Sequence, residues 1–328
     1  MKKNKIITAS AILFSMIALS CSLSQSMYTG YRDMKRSSAG LEQKSVQVDD
    51  YNISYLEGGK GETVVLVHGF GAEKDHWTPM SEYLADKYHL VIPDLPGMGE
   101  SSKRDDLSYD VESQAERIHH FLKKINTGKV FIAGNSMGGN ITGIFAAKYP
   151  DEVSGLILID TAGITAPEKS DLTKSLESGV NPLIVNNVED YDRLMKFGFV
   201  NPPYIPGPVK TLLAEQAVKN KPHNEKVWSD MNRKPVMLQD WLSKLKMPVL
   251  IIWGDKDRII NVSCVQVLEK SLKNYRTHIM KDCGHAPMLE RPEETAGYII
   301  KFIQNDIKAL SDGLEPGTKI VICSKDGA

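Results

Sequence analysis

The sequence is poor in cysteine and carries no surplus of positive charge. Its 328 residues include four cysteines, none of them in a Cys-x-x-Cys pair or a Cys/His cluster with the spacing of a zinc site. Cysteines this sparse cannot form a disulfide framework, so stability must come from an apolar core. Lysine and arginine total 40 against 41 acidic residues, and no long basic run is present. This balance excludes nucleic acid as a partner.

A long apolar run is missing as well. Residues 6–19 are uncharged and mostly apolar, but these fourteen residues are fewer than the roughly 20 that span a membrane comfortably. Three lysines among the first five residues precede the run. We therefore interpret residues 1–20 as an export signal.

The end of this signal reads Ala-Leu-Ser-Cys at residues 18–21 and resembles a bacterial lipobox, in which the cysteine is acylated after cleavage. We predict a lipid anchor on Cys21, and Ser22 favours sorting to the outer membrane. The alternative is ordinary cleavage, because Ala18 and Ser20 also fit the small-x-small pattern of simple secretion. The first interpretation predicts an anchored protein, and the second predicts a periplasmic or secreted one.

The rest of the chain is predicted to be one α/β domain with an insertion. Residues 21–43 lack apolar periodicity and are interpreted as a tether. Apolar runs then alternate with helical patterns, which predicts a doubly wound, mostly parallel, eight-stranded sheet. The eight strand candidates are residues 46–48, 53–56, 63–67, 89–93, 130–133, 155–160, 249–253 and 277–280. Helices are predicted at 110–125, 137–149, 262–273 and 291–309.

The strand rhythm stops for about eighty residues and then resumes. We interpret residues 163–245 as a helical cap inserted into a core of 44–162 and 246–309, because so short a segment forms only a small core of its own. Residues 310–328 form a tail of unknown role, in which 318–323 is either an extra strand or a frayed end.

The strongest motif is Gly-Asn-Ser-Met-Gly-Gly at residues 134–139, between an apolar strand candidate and a helical pattern. Glycines on both sides of Ser136 allow the sharp strand-to-helix turn that exposes a nucleophilic hydroxyl. A serine hydroxyl is weakly nucleophilic unless a base removes its proton, so a histidine and a carboxylate are required elsewhere.

Two later loops supply these partners. His285 follows the last strand candidate, and Asp257 follows the strand before it, which gives the chain order serine, aspartate, histidine. Asp255 is the near alternative, and Asp160, at the end of an earlier strand, is a topologically possible substitute.

An oxyanion also needs hydrogen-bond donors. The backbone N–H of Met137, directly after the serine, is predicted to be one of them. The second is predicted to be the backbone N–H of Phe70, in the His-Gly-Phe-Gly sequence of residues 68–71, which follows an early strand.

Together these motifs resemble the α/β-hydrolase superfamily over residues 45–309. The sequence from Phe70 to Trp77 and the proline-rich cap are further similar to bacterial lipases related to animal monoacylglycerol lipases. The resemblance implies an α/β-hydrolase fold with a cap, and it implies that Asp94 belongs to a structural loop rather than to the catalytic set.

We therefore expect a serine carboxylic-ester hydrolase, a lipase or esterase acting on acylglycerols, with no cofactor or metal. Apolar cap residues between 180 and 205 either line an acyl pocket or form the core of the cap. One alternative is a C–C bond hydrolase of the meta-cleavage type, which shares the serine motif. The other is a non-catalytic surface lipoprotein that uses the fold for binding.

Overall fold

A computed structural model of the chain describes residues 24–311, with side chains to residue 305. Eight strands form a single sheet in the spatial order β1-β2-β4-β3-β5-β6-β7-β8. The strands are β1 (Leu41–Val48), β2 (Tyr51–Gly58), β3 (Thr63–Val67), β4 (His89–Pro93), β5 (Val130–Asn135), β6 (Val153–Ile159), β7 (Val249–Gly254) and β8 (Tyr275–Met280). All eight predicted strands are thus confirmed.

The sheet is parallel from β4 to β8 and antiparallel only where β2 pairs with β1 and with β4. Every residue of β3, β5 and β7 is buried, as expected for central strands with helices on both faces. Alternate residues of β5 serve the two faces: Val130 and Ile132 pack into one apolar cluster, and Phe131 and Ala133 into the other.

Helices cover both faces and fill the insertion. Outside the cap they are α1 (24–38), α2 (Thr78–Ser81), α3 (Val111–Ile125), α4 (Met137–Lys148), α9 (Cys264–Ser271), α10 (Pro287–Glu290) and α11 (Pro292–Ser311). The cap contains α5 (Asp171–Glu177), α6 (Val188–Gly198), α7 (Gly207–Lys219), α8 (Lys221–Arg233) and a 3-10 helix at Leu238–Lys244. None of the described helices is long and apolar enough to cross a membrane.

The tether interpretation is wrong for the described part of residues 21–43. Residues 24–38 are helical, and β1 begins at Leu41, so the core starts before the predicted boundary at residue 44. The side of α1 that faces the domain is polar, which explains the missing apolar periodicity. Arg36, 6% exposed, donates two hydrogen bonds to Asp75, at 2.6 and 2.5 Å. The predicted export signal, Cys21, and the possible strand at 318–323 lie outside the described residues.

Candidate active site

Ser136 occupies a strained turn between β5 and α4. Its φ of 57° and ψ of −122° lie outside the conformations that non-glycine residues ordinarily adopt. Close packing requires glycine on both sides: a Cβ on Gly134 would lie 2.3 Å from the Gly138 oxygen, and one on Gly138 would lie 2.4 Å from the Val67 oxygen. The turn leaves the Ser136 side chain partly exposed at the carboxyl edge of the sheet. The sharp turn predicted from the motif is therefore present.

His285 and Asp257 form a buried pair at the same edge. The Nδ1 atom of His285 lies 2.8 Å from Oδ2 of Asp257. The other carboxylate oxygen of Asp257 accepts hydrogen bonds from the backbone N–H groups of Ile259 and Ile260, at 2.7 and 3.0 Å. These donors fix the carboxylate, which in turn orients the imidazole so that Nε2 is available as a base. Asp255, the near alternative, instead has its Oδ2 atom 3.3 Å from Lys256 Nζ.

Two polar residues that sequence reasoning missed position the histidine loop. Asn135, directly before the serine, donates from Nδ2 to the carbonyl oxygen of His285, at 3.0 Å, and to that of Ile159, at 3.2 Å. Glu290 accepts from the backbone N–H of Gly284, at 3.1 Å, and from that of Val200 in the cap, at 3.2 Å. Asn135 lies inside the serine motif, but nothing in that motif shows that its side chain bonds to a residue 150 positions away, and no motif marks Glu290.

The loop that contains Phe70 lies against the serine turn. A Cβ on Gly69 would be 3.1 Å from Ser136 Cβ and 3.2 Å from the Asn135 oxygen, which is tighter than ordinary contact, so a side chain there would push the loop and the serine turn slightly apart. The Phe70 ring packs edge to face on Trp228 of the cap, with 5.5 Å between ring centroids. Within the described residues, no protein group accepts a hydrogen bond from the N–H of Phe70 or of Met137.

His68 holds the start of this loop as a neutral side chain. It is fully buried, and its Nε2 atom accepts a hydrogen bond from the N–H of Leu95, at 3.0 Å. The proton is therefore on Nδ1, which donates to the Gly69 oxygen, at 2.9 Å. Burial lowers the pKa of His68 to about 4, despite the nearby charge of Asp94. At neutral pH the uncharged imidazole therefore connects the loop of Gly69 to the loop of Leu95 through two hydrogen bonds.

Asp94 has the structural role that the resemblance implies. It is fully buried and accepts hydrogen bonds from the Lys74 ammonium, at 2.8 Å, and from the backbone N–H groups of Lys74 and Glu100, at 2.7 and 2.8 Å. A Cβ on Gly99 would lie within 2.3 Å of both carboxylate oxygens, which explains the glycine there. Nothing in this arrangement points toward Ser136.

Asp160, the second alternative acid, lies beside the buried pair. In the described part of the chain, Asp160, Asp257 and His285 form the one group of potential metal ligands whose atoms lie within 4.8 Å of one another. A cation there would compete for Nδ1 of His285, the atom that pairs with Asp257. The arrangement therefore suits a hydrogen-bonded acid and base better than a metal centre.

Several apolar cap residues have the second of the two predicted roles and form the core of the cap. Phe197 is buried in a cluster with Leu172 and Ile259, against which Leu183 also packs, so these side chains form cap core. Tyr204 is 88% exposed and does not belong to this cluster. An open cleft of about 560 Å³ is lined by Asp257, two further carboxylates and five basic side chains: Lys169, Lys174, Lys196, Lys256 and Arg258. This lining suits a polar group rather than an acyl chain.

Comparisons with known proteins agree with this fold. The alpha/beta hydrolase family matches residues 64–297. Lipase 3 of Moraxella sp. (strain TA144) is 35% identical, over 93% of this chain and 97% of its own. Monoacylglycerol lipase abhd6-B of Xenopus laevis is 33% identical, over 82% of this chain and 84% of its own. The crystal structure of a membrane phospholipase A, described as a bacterial virulence factor, is 40% identical with a TM-score of 0.87, over 93% of this chain and 100% of its own.

Proposed function

The chain belongs to the alpha/beta hydrolase family and is a carboxylic-ester hydrolase, and we propose that it is a lipase with Ser136 as its nucleophile. One observation carries the assignment of roles. The buried His285–Asp257 pair, with 2.8 Å between Nδ1 and Oδ2, lies at the sheet edge where the strained turn exposes Ser136. This arrangement activates a hydroxyl for acyl transfer.

In the proposed mechanism, Nε2 of His285 removes the proton of Ser136 as Oγ attacks the ester carbonyl carbon. The carbonyl oxygen becomes an oxyanion and accepts hydrogen bonds from the N–H groups of Phe70 and Met137. Asp257 supports the imidazolium, which then protonates the departing alcohol as the acyl-enzyme forms. A water molecule, deprotonated by His285, attacks the acyl carbon, and the fatty acid leaves as Ser136 regains its proton.

Acylglycerols are the proposed substrates because the named relatives are lipases and a monoacylglycerol lipase. Glycerophospholipids are a second candidate, which the 40% identity to a phospholipase A favours.

We further propose that the enzyme is exported and anchored in a bacterial outer membrane through Cys21. The exposed side of α1 supports membrane attachment, since Met27, Tyr31 and Met34 are 44%, 51% and 54% exposed and follow each other at helical spacing. An apolar stripe beside a lipid anchor gives the second attachment that stable binding needs. Growth in labelled palmitate tests the anchor: the wild-type chain should carry label, and a Cys21→Ala variant should carry none.

The activity is tested with p-nitrophenyl esters from acetate to palmitate, monoolein, triolein and phosphatidylglycerol vesicles. The wild type should release fatty acid with a preference for long chains, and Ser136→Ala should lower kcat/KM by more than about a thousandfold. Ser263→Ala is the control, because it removes a buried serine hydroxyl that accepts a hydrogen bond from the Glu168 N–H and has no part in the proposed triad. A peak at short chains would indicate an esterase.

No turnover of any ester by folded wild-type protein would contradict the proposal. In that case, activity on a vinylogous diketone would favour the C–C bond hydrolase, and none on either class would favour a binding protein.

A further inference from the structure

A third carboxyl group lies behind the catalytic pair, and the proposed mechanism does not use it. Asp160 directly follows β6, is fully buried, and has a φ of 45°, a left-handed conformation that is uncommon for a residue with a side chain. Its Oδ1 atom accepts a hydrogen bond from the backbone N–H of Gly254, at 2.9 Å. Its Oδ2 atom is buried and has no hydrogen-bond donor among the described residues.

Asp160 and Asp257 are both buried, and their carboxylate oxygens approach within 4.8 Å of each other. Two carboxylates this close in a buried site cannot both be ionised at low cost. The two groups differ in the donors that stabilise a negative charge. Asp257 accepts from two backbone N–H groups and from His285, whereas Asp160 accepts from Gly254 alone. The charge therefore belongs on Asp257, and a shared proton belongs on Asp160.

A proton on Oδ2 of Asp160 also gives this buried atom a hydrogen-bond partner. The protonated oxygen becomes a donor, and the neighbouring carboxylate of Asp257 can accept from it. We propose that Asp160 is a neutral positioning residue whose protonated carboxyl group donates a hydrogen bond to the Asp257 carboxylate and keeps it directed at His285. The proposal rests on the role given above to Asp257. The proton stays on Asp160 throughout the cycle, while His285 alone exchanges a proton with Ser136.

The groups around Asp160 favour the neutral form. Burial contributes most, followed by the charge of Asp257, and together they hold the pKa of Asp160 well above its ordinary value, although the Gly254 N–H opposes them. Glu290 on α10 acts in the same direction. The thiol of Cys283 lies nearby and is itself kept neutral, because burial raises its pKa. Among the described residues, His285 is the basic group that pairs with Asp257.

The protonation state can be read without any activity assay. Infrared difference spectroscopy of the full chain at pH 7 should show the carbonyl stretch of a protonated carboxyl group in the wild type. That band should vanish in Asp160→Asn and persist in the control Asp255→Asn, which removes an acid from the neighbouring strand end. A band absent from the wild type, or retained in Asp160→Asn, overturns the proposal.

Stability gives a second readout with a definite sign. Asp160 stays protonated in the folded chain but ionises in the unfolded chain above its ordinary pKa of about 4, so stability falls as pH rises. Asparagine keeps a carbonyl for Gly254 and a donor for Asp257 without this penalty. The melting temperature of Asp160→Asn should therefore exceed that of the wild type, by a margin that grows from pH 5 to pH 8. A margin that stays constant or shrinks contradicts a neutral Asp160.

Kinetics distinguish a positioning role from a charged one. Asp160→Asn should keep kcat/KM within about threefold of the wild type with an unchanged acidic limb of the pH profile, whereas Asp160→Ala should lose about tenfold in kcat with little change in KM. If Asp160 were ionised, its removal would shift the acidic limb to lower pH by about one unit or more. That shift, or equal losses in both variants, would overturn the proposal. The infrared and stability measurements need no turnover. If the ester assay fails, they still decide whether Asp160 is protonated.

Discussion

The side chain of Asn135 reaches across the sheet edge to the main chain of His285, with 3.0 Å between Nδ2 and the carbonyl oxygen. The residue before the proposed nucleophile thereby holds the residue proposed as its base, although 150 positions separate the two. A second hydrogen bond from the same nitrogen, to Ile159, fixes the amide. These hydrogen bonds hold the serine turn and the histidine loop in a fixed position relative to each other.

Replacing Asn135 by alanine should lower kcat by about fivefold with KM nearly unchanged, because the histidine loop loses a positioning hydrogen bond worth about 1 kcal/mol. Steady-state kinetics on a soluble short-chain ester measures the effect. Asn140→Ala is the matched control, since Asn140 makes a comparable bond to the Val236 oxygen, at 2.9 Å, away from His285. Equal losses in kcat for the two variants would contradict a specific role for Asn135.

Gly69→Ala should reduce kcat by at least about tenfold while the protein remains folded. The new Cβ would lie 3.1 Å from Ser136 Cβ, so the loop that carries the Phe70 N–H must move away from the serine and weaken an oxyanion donor. Gly297→Ala serves as control, because a Cβ there meets nothing within 4 Å. The control should keep full activity and gain up to about 1 kcal/mol in stability. Wild-type kcat in Gly69→Ala would show that the loop does not supply the donor.

His68 should make the folded state sensitive to mild acid. The folded pKa of about 4 lies below the ordinary value of about 6.5, so the unfolded chain binds the extra proton between these values. Stability from this residue is therefore complete above pH 6.5 and falls by about 3 kcal/mol as pH drops to 4. Urea unfolding from pH 7 to pH 4.5 should show a shallower loss in His68→Gln than in the wild type. A wild-type slope in His68→Gln would disprove the assignment.

Two arginines of α1 should differ in their contribution to stability. Arg36 is buried in its bidentate pair with Asp75, so Arg36→Ala leaves that carboxylate with only the more distant Lys74 ammonium, at 3.6 Å, and should lower the free energy of unfolding by about 2 kcal/mol. Arg32 lies 3.5 Å from the partly exposed Glu100, and Arg32→Ala should cost less than about 1 kcal/mol. Urea denaturation compares the two. Similar losses would mean that α1 does not dock through Arg36.

The parts that the sequence predicted correctly are those governed by local rules. Buried strands appear as continuous apolar runs, and the turn at Ser136 requires glycines within a few residues of it, so both leave a local pattern. The choice of Asp257 over Asp255 followed a motif, and the structure pairs Asp257 with His285.

The missed parts depend on contacts between distant residues. Helix α1 escaped notice because its docked side is polar: the Tyr28 hydroxyl donates to Glu73, at 3.1 Å, and Lys35 pairs with Glu82, at 2.9 Å. The apolar residues at helical spacing on α1, Met27, Tyr31 and Met34, are exposed, so they do not give the buried stripe of a helix packed on a core. Asn135 bonds to a residue 150 positions away and Glu290 to one 90 positions away, and local sequence does not show these partners.

The docking of α1 also determines where the chain can be shortened. Its polar side reaches Glu73 and Asp75, a few residues after Phe70 in the same loop. A soluble form trimmed to begin at residue 40, just before β1, would leave the Asp75 carboxylate without its arginine and the loop without its outer support. A chain that keeps these contacts must begin before Tyr28, so the helix next to the predicted membrane anchor also stabilises the catalytic domain.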